Sequence, residues 1–176
     1  DVTVTSRMVT ATTEGTGSYT TGQTTTATNL PLSLEETPQS VTVVTRQRMD
    51  DQQLNTAQGV LENTTGVASY QSDSERTSFY SRGFLINNIQ YDGIPTIVGS
   101  TVNGSGIGSL DTAFYDRVEV VRGASGLLTG TGNPSAAVNL VRKRPTREFS
   151  AVASLGAGSW DTLRGMADIS TPLTED

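Results

Sequence analysis

Six carboxylate side chains are the residues of this sequence that could best support acid–base chemistry: Asp50, Asp51, Asp92, Asp111, Asp116 and Glu119. Two such groups facing one another could act as the acid and the base of a glycoside hydrolase. Acidic side chains in turns and at helix starts more often cap the backbone, and the sequence indicates no pairing among the six. A carbohydrate-active enzyme is therefore the least favoured function.

The sequence contains no cysteine and no histidine, which removes the usual zinc ligands, imidazole bases and thiol nucleophiles. The glycine-rich run 123–132 lacks the Gly-Lys-Ser/Thr sequence of a phosphate-binding loop. A formal net charge of −6 and a pI of about 4.6 argue against a nucleic-acid or anionic-lipid surface. We therefore expect no catalytic residue, no cofactor, no metal ligand and no nucleic-acid partner.

Three arginines, Arg82, Arg117 and Arg122, lie in or beside predicted strands. A buried guanidinium group needs a carboxylate partner, because unpaired burial costs several kcal/mol. Glu119 alone provides too few carboxylate groups for all three. From the residues alone, partly exposed charges near strand ends are the simpler interpretation.

These side chains are expected on a strand-rich scaffold, because 18 glycines and only 34% hydrophobic residues favour a turn-rich domain over a helical bundle. Alternating and β-branched residues predict strands at 40–45, 67–70, 79–84, 86–91, 117–122 and 136–141. Apolar residues at helical spacing predict a helix over 46–63, and Asp111 is expected to cap one helical turn. We predict an α+β fold with a small mixed four-stranded sheet and short helices.

The two ends of the chain differ from this central part. Residues 1–29 are rich in Thr, Ser and Gly and have few large apolar residues, which predicts a flexible tail. Residues 1–6 alternate and could add a strand to the sheet edge of another protein, although a plain tail is the alternative. Residues 148–156 and 160–170 predict two long strands of a hairpin, which we expect to be the start of a larger, truncated sheet.

Six phrases occur in a characteristic order: 36–44 (ETPQSVTVV), 61–67 (LENTTGV), 80–84 (YSRGF), 91–95 (YDGIP), 116–123 (DRVEVVRG) and 130–139 (GTGNPSAAVN). Each alone is weak, but together they resemble the plug domain of TonB-dependent siderophore receptors over residues 34–145. The wording is most similar to the branch that takes up hydroxamate-type siderophores, such as ferric coprogen, ferrioxamine and pyoverdine.

This resemblance implies three parts: a tail of residues 1–29, a plug domain of residues 30–146, and residues 147–176 as the first two strands of a truncated 22-stranded β-barrel. The tail would begin with the TonB box, Asp1, Val2, Thr3, Val4, Thr5 and Ser6. The implied partners are the C-terminal domain of TonB, the protein's own barrel, and a ferric siderophore that holds the iron itself. The implied location is the outer membrane of a Gram-negative bacterium, with the plug inside the barrel and the N-terminus facing the periplasm.

The resemblance also implies roles for individual residues. In the family, plug arginines pair with barrel glutamates and lock the plug in place, which here would involve Arg82, Arg117, Glu119 and Arg122. Two loops, 71–78 and 97–109, would face the siderophore. The expected ligand-binding residues in these loops are Arg76, Ser100, Thr101 and Asn103, with Arg76 favoured because its forked donors suit hydroxamate or carboxylate oxygens.

Two other functions compete with a transport gate. A secreted β-rich binding or adhesion module would also be acidic and rich in Thr and Gly. A carbohydrate-active enzyme would need a cleft lined by carboxylate groups. The gate is favoured because glycine-rich loops of low stability suit an element that must move.

Overall fold

The computed structural model describes residues 11–28, 30–74, 76–97, 110–124, 134–146 and 148–172. It divides into two compact units, residues 1–142 and residues 143–176. The predicted TonB box, Asp1–Ser6, and the ligand-binding candidates Ser100, Thr101 and Asn103 lie outside the described residues. Across the described ranges, none of the helices has the length and apolar character needed to cross a membrane.

The elements follow in chain order as β1 (Ser40–Thr45), α1 (Arg46–Asp51), α2 (Ala57–Glu62), β2 (Ala68–Gln71), β3 (Thr77–Ser81), β4 (Phe84–Leu85), β5 (Asn88–Tyr91), β6 (Ile94–Ile97), a 3₁₀ turn (Thr112–Phe114), β7 (Tyr115–Arg122), β8 (Ala136–Arg142), β9 (Ser150–Ala157) and β10 (Leu163–Ser170). As predicted, the class is α+β with few, short helices. The Asp111 side chain caps the 3₁₀ turn, accepting the amide of Ala113 at 2.7 Å.

The main sheet is mixed, with the order β1-β7-β8-β5-β6. β5 and β8 are parallel and the other neighbours are antiparallel. The sheet therefore has five strands rather than the four predicted. The difference is β6: Asp92 and Gly93 both have positive φ (51° and 82°), as a type I′ turn requires, so the chain turns within two residues and pairs again. Pro95 is tolerated there because β6 is an edge strand.

The hydrophobic core lies between this sheet and the two helices. Its fully buried side chains include Val44, Met49, Val60, Leu61, Val118 and Leu140. The single helix predicted over 46–63 is two helices, because Gln53 has positive φ and Thr56 starts a new N-terminus. The Thr56 Oγ1 accepts the amide of Gly59 at 3.1 Å, which caps α2.

A second sheet of three antiparallel strands has the order β2-β3-β4. The strand predicted over 79–84 is divided into β3 and β4 by Arg82 and Gly83, whose φ values of 54° and 83° form a second tight turn. All four residues of β2 are exposed.

Residues 11–28 are packed, so the predicted tail is wrong for this part of the chain. Thr13, Thr21, Thr24, Thr26 and Ala27 are all buried. The sequence argument counted only apolar surface, whereas this segment is held by polar bonds to buried carboxylates. Threonine has both a small apolar volume and a hydroxyl donor, so it can be buried where such acceptors exist.

The second unit contains the predicted hairpin of β9 and β10, paired antiparallel throughout. Its register places Leu155, Leu163 and Ile169 on one face, each more than 70% exposed. The other face has Arg164, Asp168 and three serines (Ser150, Ser154 and Ser170), together with Val152 and Met166. The hairpin therefore has one apolar face and one mixed face that holds the charged side chains of its strands.

Candidate functional site

Strand β7 contains a cluster of buried charges. Asp116, Arg117 and Glu119 are 2%, 6% and 0% exposed. The Arg117 guanidinium donates from Nε to Glu119 Oε1 at 2.6 Å and from Nη1 to Asp116 Oδ2 at 2.8 Å. One cation thus bridges two carboxylates, and the burial of these charges is tolerated because each is paired and hydrogen-bonded.

A β-bulge brings the two carboxylates to the same arginine. Adjacent residues of a regular strand point to opposite faces, which would separate Asp116 from Arg117. The pairing of β7 with β8 shifts between Tyr115 and Arg117, so Asp116 is left without a partner on β8. A bulge re-aims a side chain in this way, and here it allows the ion pair between neighbours.

The second oxygen of Glu119 is bonded to the N-terminal segment. Oε2 accepts a hydrogen bond from the Thr24 hydroxyl and another from Thr26 Oγ1 at 2.6 Å. Thr26 Oγ1 in turn accepts Asn139 Nδ2 at 2.7 Å, and Asn139 is the cross-strand partner of Glu119 on β8. Hydrogen bonds to an ionised acceptor are about twice as strong as neutral ones.

Asp116 is bonded to the same segment, mainly through backbone donors. Its Oδ1 accepts the amides of Thr13 at 2.9 Å and of Glu14 at 2.6 Å. Thr13 Oγ1 donates to the Asp116 carbonyl at 2.9 Å and accepts the Arg46 amide at 3.1 Å. The two carboxylates of β7 therefore hold residues 11–28 at two separate points.

The three predicted lock arginines differ in their surroundings. Arg117 is paired with plug carboxylates, as described above. Arg122 donates to Ser40 Oγ at 2.7 Å, to Thr42 Oγ1 at 2.8 Å and to the Thr65 carbonyl. Arg82 is exposed at its turn. Within the described ranges, neither Arg82 nor Arg122 forms an ion pair with a carboxylate.

Both of these arginines lie against a glycine. A Cβ atom on Gly123, which has a φ of +111°, would lie 2.9 Å from Arg82 Nη1. A Cβ atom on Gly66, which has a φ of +79°, would lie 3.1 Å from Arg122 Cδ. Glycine is therefore needed at both positions for two reasons: the backbone has a positive φ, and an arginine side chain occupies the space of a Cβ atom.

Arg76, the favoured ligand-binding residue, is exposed and bonded to Asp73. Its Nε and Nη2 each lie 2.6 Å from Asp73 Oδ2, and its amide donates to Oδ1 at 2.9 Å. Asp73 therefore fixes the guanidinium in its loop, while about half of the side chain is exposed. No group of three or more metal-binding side chains occurs in the ranges that the structure describes.

Sequence reasoning missed Thr13, Thr24, Thr26 and Asn139, and did not pair Asp116 with Arg117. The available signal was the density of threonine in residues 20–28, which we interpreted only as low hydrophobicity. The bulge at Asp116 has no signal in the alternating pattern of β7. The contact of Thr13 with Asp116 and that of Thr24 with Glu119 each join residues more than 90 positions apart in the sequence.

Residues 33–137 match the family described as "TonB-dependent Receptor Plug Domain". The chain belongs to this family, which confirms the resemblance seen in the six phrases. It is 54% identical to a ferric-pyoverdine 358 receptor of Pseudomonas putida over 94% of the chain and 20% of that protein. The chain thus spans about a fifth of the length of this relative.

Solved structures agree with this assignment. The ferripyoverdine receptor of the outer membrane of Pseudomonas aeruginosa, bound to ferripyoverdine, matches with a TM-score of 0.89 and 52% identity, over 95% of this chain and 22% of that one. The alcaligin outer-membrane receptor FauA of Bordetella pertussis matches with a TM-score of 0.87 and 53% identity, over 96% and 29%. All three of these relatives are named as receptors and none as an enzyme.

Proposed function

We propose that this chain is the gate of an outer-membrane receptor that imports ferric siderophores. The observation that carries the proposal is the 54% identity with a ferric-pyoverdine receptor over almost the whole chain. The siderophore would be of the hydroxamate type and would hold the iron itself, so the gate needs no metal ligand, no cofactor and no catalytic residue. The alternative of a secreted adhesion module has no support among these relatives.

The gate would sit inside its own 22-stranded barrel in the outer membrane of a Gram-negative bacterium. Residues 30–146 would form the plug and residues 147–176 the first two barrel strands. The two-faced hairpin supports this, because barrel strands alternate between a lipid-facing apolar side and a polar interior. The TonB box at residues 1–6 would face the periplasm, where the C-terminal domain of TonB would bind it as an added strand.

Arg82 and Arg122 would lock the plug to glutamates of the barrel. Both guanidinium groups lack a carboxylate partner among the described residues, and both side chains lie against a glycine. Arg117 and Glu119 would contribute to the lock indirectly, because their ion pair stabilises strand β7, which ends at Arg122. A forked guanidinium that meets a carboxylate at a water-poor interface gives a strong and directional contact.

The loops 71–78 and 97–109 would face the incoming siderophore. Arg76 would contact its oxygens directly, and Ser100, Thr101 and Asn103 would add neutral hydrogen bonds. The contact between Arg76 and Asp73 supports this role, because a guanidinium already held in place loses less side-chain entropy on binding.

Uptake of radioactive iron by cells that make the full-length receptor tests the function. We expect uptake from one or more ferric hydroxamates, ferripyoverdines included, that is lost when TonB is deleted. Arg76→Ala should raise the half-saturating siderophore concentration about tenfold, which is the expected cost of one charged hydrogen bond, with Arg144→Ala, an exposed arginine outside these loops, as the control. Absence of TonB-dependent uptake across the panel would contradict the proposal.

A further inference from the structure

Residues 11–28, which we call the strap, lie against the main sheet and are bonded to two buried carboxylates of β7. Its first anchor is Asp116, which accepts the amides of Thr13 and Glu14. Its second anchor is Glu119, which accepts the hydroxyls of Thr24 and Thr26. The anchors lie three residues apart on β7, whereas the strap sites that they hold are about ten residues apart.

Between the anchors the strap makes one further bond to each end of α1, at Thr45 and at Asp51. The Thr45 hydroxyl donates to the Ser18 carbonyl at 2.7 Å. The Tyr19 hydroxyl donates to Asp51 Oδ2 at 2.7 Å at an exposed position. The exposed Tyr19 bond contributes little, and two backbone bonds also join Thr24 to Leu32. The charge-assisted contacts to the two buried carboxylates are the strongest of these attachments.

The strap contributes almost nothing to the apolar core. Ala27 is its only buried hydrophobic residue, and the core cluster contains no residue of the strap. Removing the strap would uncover the sheet face that carries Glu119, where Val43, Val121 and Ala137 are also buried. The core between the helices and the main sheet contains none of the strap's residues and would keep its contacts. A segment held by a few strong polar bonds opens as a unit, separately from the core.

We propose that Asp116 and Glu119 are positioning residues that clasp the strap, and that loss of either contact lets residues 11–28 open while the core between the helices and the main sheet stays closed. This clasp does not depend on the proposed function.

A buried reporter on the strap tests the clasp. The chain has no cysteine, and Ala27 is only 4% exposed, so Ala27→Cys in a full-length receptor with no other cysteine gives a thiol that reacts with maleimide when the strap opens. We expect the double variant Thr24→Val, Thr26→Val to raise the labelling rate about tenfold or more without TonB. Valine keeps the shape of threonine while removing both donors to Glu119.

The matched control is Thr64→Val. Thr64 is a buried threonine whose hydroxyl donates to the Val60 carbonyl at 2.8 Å, away from the strap. This change should leave labelling of the reporter within about twofold of the parent. Asp116→Asn should raise labelling as the Val pair does, and should speed amide exchange of residues 13 and 14 while that of β8 stays slow.

Two results would overturn the clasp. One is labelling of the Val pair that stays at the parent rate. The other is an equal rise with Thr64→Val, which would mean that the whole plug opens rather than the strap. If Asp116→Asn is not recovered in the membrane, the Val pair decides alone. A receptor that imports no ferric siderophore would refute the proposed function, yet the labelling without TonB would still decide the clasp.

Discussion

At the scale of single residues, the unusual feature is a strand that carries three charged side chains in its buried part. Asp116, Arg117 and Glu119 satisfy one another and use their remaining oxygens to bind the strap. Removing one member would leave the others buried and unpaired, which costs more than the pair contributes. At Gly66 and Gly123 the neighbouring arginine side chain likewise leaves no room for a larger residue.

Gly66→Ala should destabilise the plug more than Gly93→Ala. Both positions have positive φ, so an added Cβ atom costs about 1–2 kcal/mol at either. Only at Gly66 would that atom also press on the Arg122 side chain, at 3.1 Å, whereas Gly93 has open space around it. Hydrogen exchange of the buried β7 amides measures the difference, and equal effects would show that Arg122 simply moves aside.

Tyr115 predicts a loss of stability in alkaline solution. Burial raises the pKa of the Tyr115 phenol, with the neighbouring Tyr91 adding to the effect. The unfolded chain therefore loses this proton at a lower pH than the folded one, so stability is complete below about pH 10 and falls as the pH rises toward the folded pKa. Tyr115→Phe should remove part of the fall in alkaline thermal unfolding, and Tyr70→Phe, at an exposed site, should not.

At the scale of elements, sequence patterns predicted most of the strands, with their ends within a few residues. β1, β7 and β8 were predicted within two residues, because alternation and β-branched residues reflect burial on a sheet face. β6 was missed, because Pro95 led us to extend the predicted turn over residues 92–95. The turn contains only Asp92 and Gly93, and the chain pairs again from Ile94. The division of the helix between α1 and α2 depends on the cap at Thr56.

Thr56→Ala should destabilise α2 by about 1 kcal/mol, because the amide of Gly59 loses its acceptor. Thr56→Ser keeps the oxygen and should cost much less. The measurement is amide exchange of residues 59–62 in both variants. Equal exchange in the two would mean that the backbone bridge between Thr56 and Asp111, rather than the cap, holds the start of α2.

At the scale of the whole molecule, the sequence predicted the plug and the hairpin, and missed how the N-terminal segment is attached. The plug was recognisable because its six phrases occur in a fixed order along the chain. The attachment of residues 11–28 was not, since it depends on side chains more than 90 residues away. Local patterns of period two or 3.6 carry no information about such partners.

The two-faced hairpin gives a test of the barrel assignment. Leu155→Lys places a charge on the apolar face and should lower the amount of folded receptor in the outer membrane, at a cost of up to about 2–4 kcal/mol. Ser154→Lys, one residue away on the opposite face, which already holds Arg164 and Asp168, should be tolerated. Heat-modifiable migration in gels measures folded receptor, and equal loss in both variants would argue against a lipid-facing side.

The hydrogen bonds at Asp116 also bear on how freely this region can change in evolution. Asp116 receives two main-chain donors, one of which comes from residue 14. An amide is present whatever side chain residue 14 carries, proline excepted. Among receptors that share this arrangement, aspartate should therefore be conserved at position 116, while the side chain at position 14 should vary. An alignment would then show only the acceptor of this hydrogen bond as conserved.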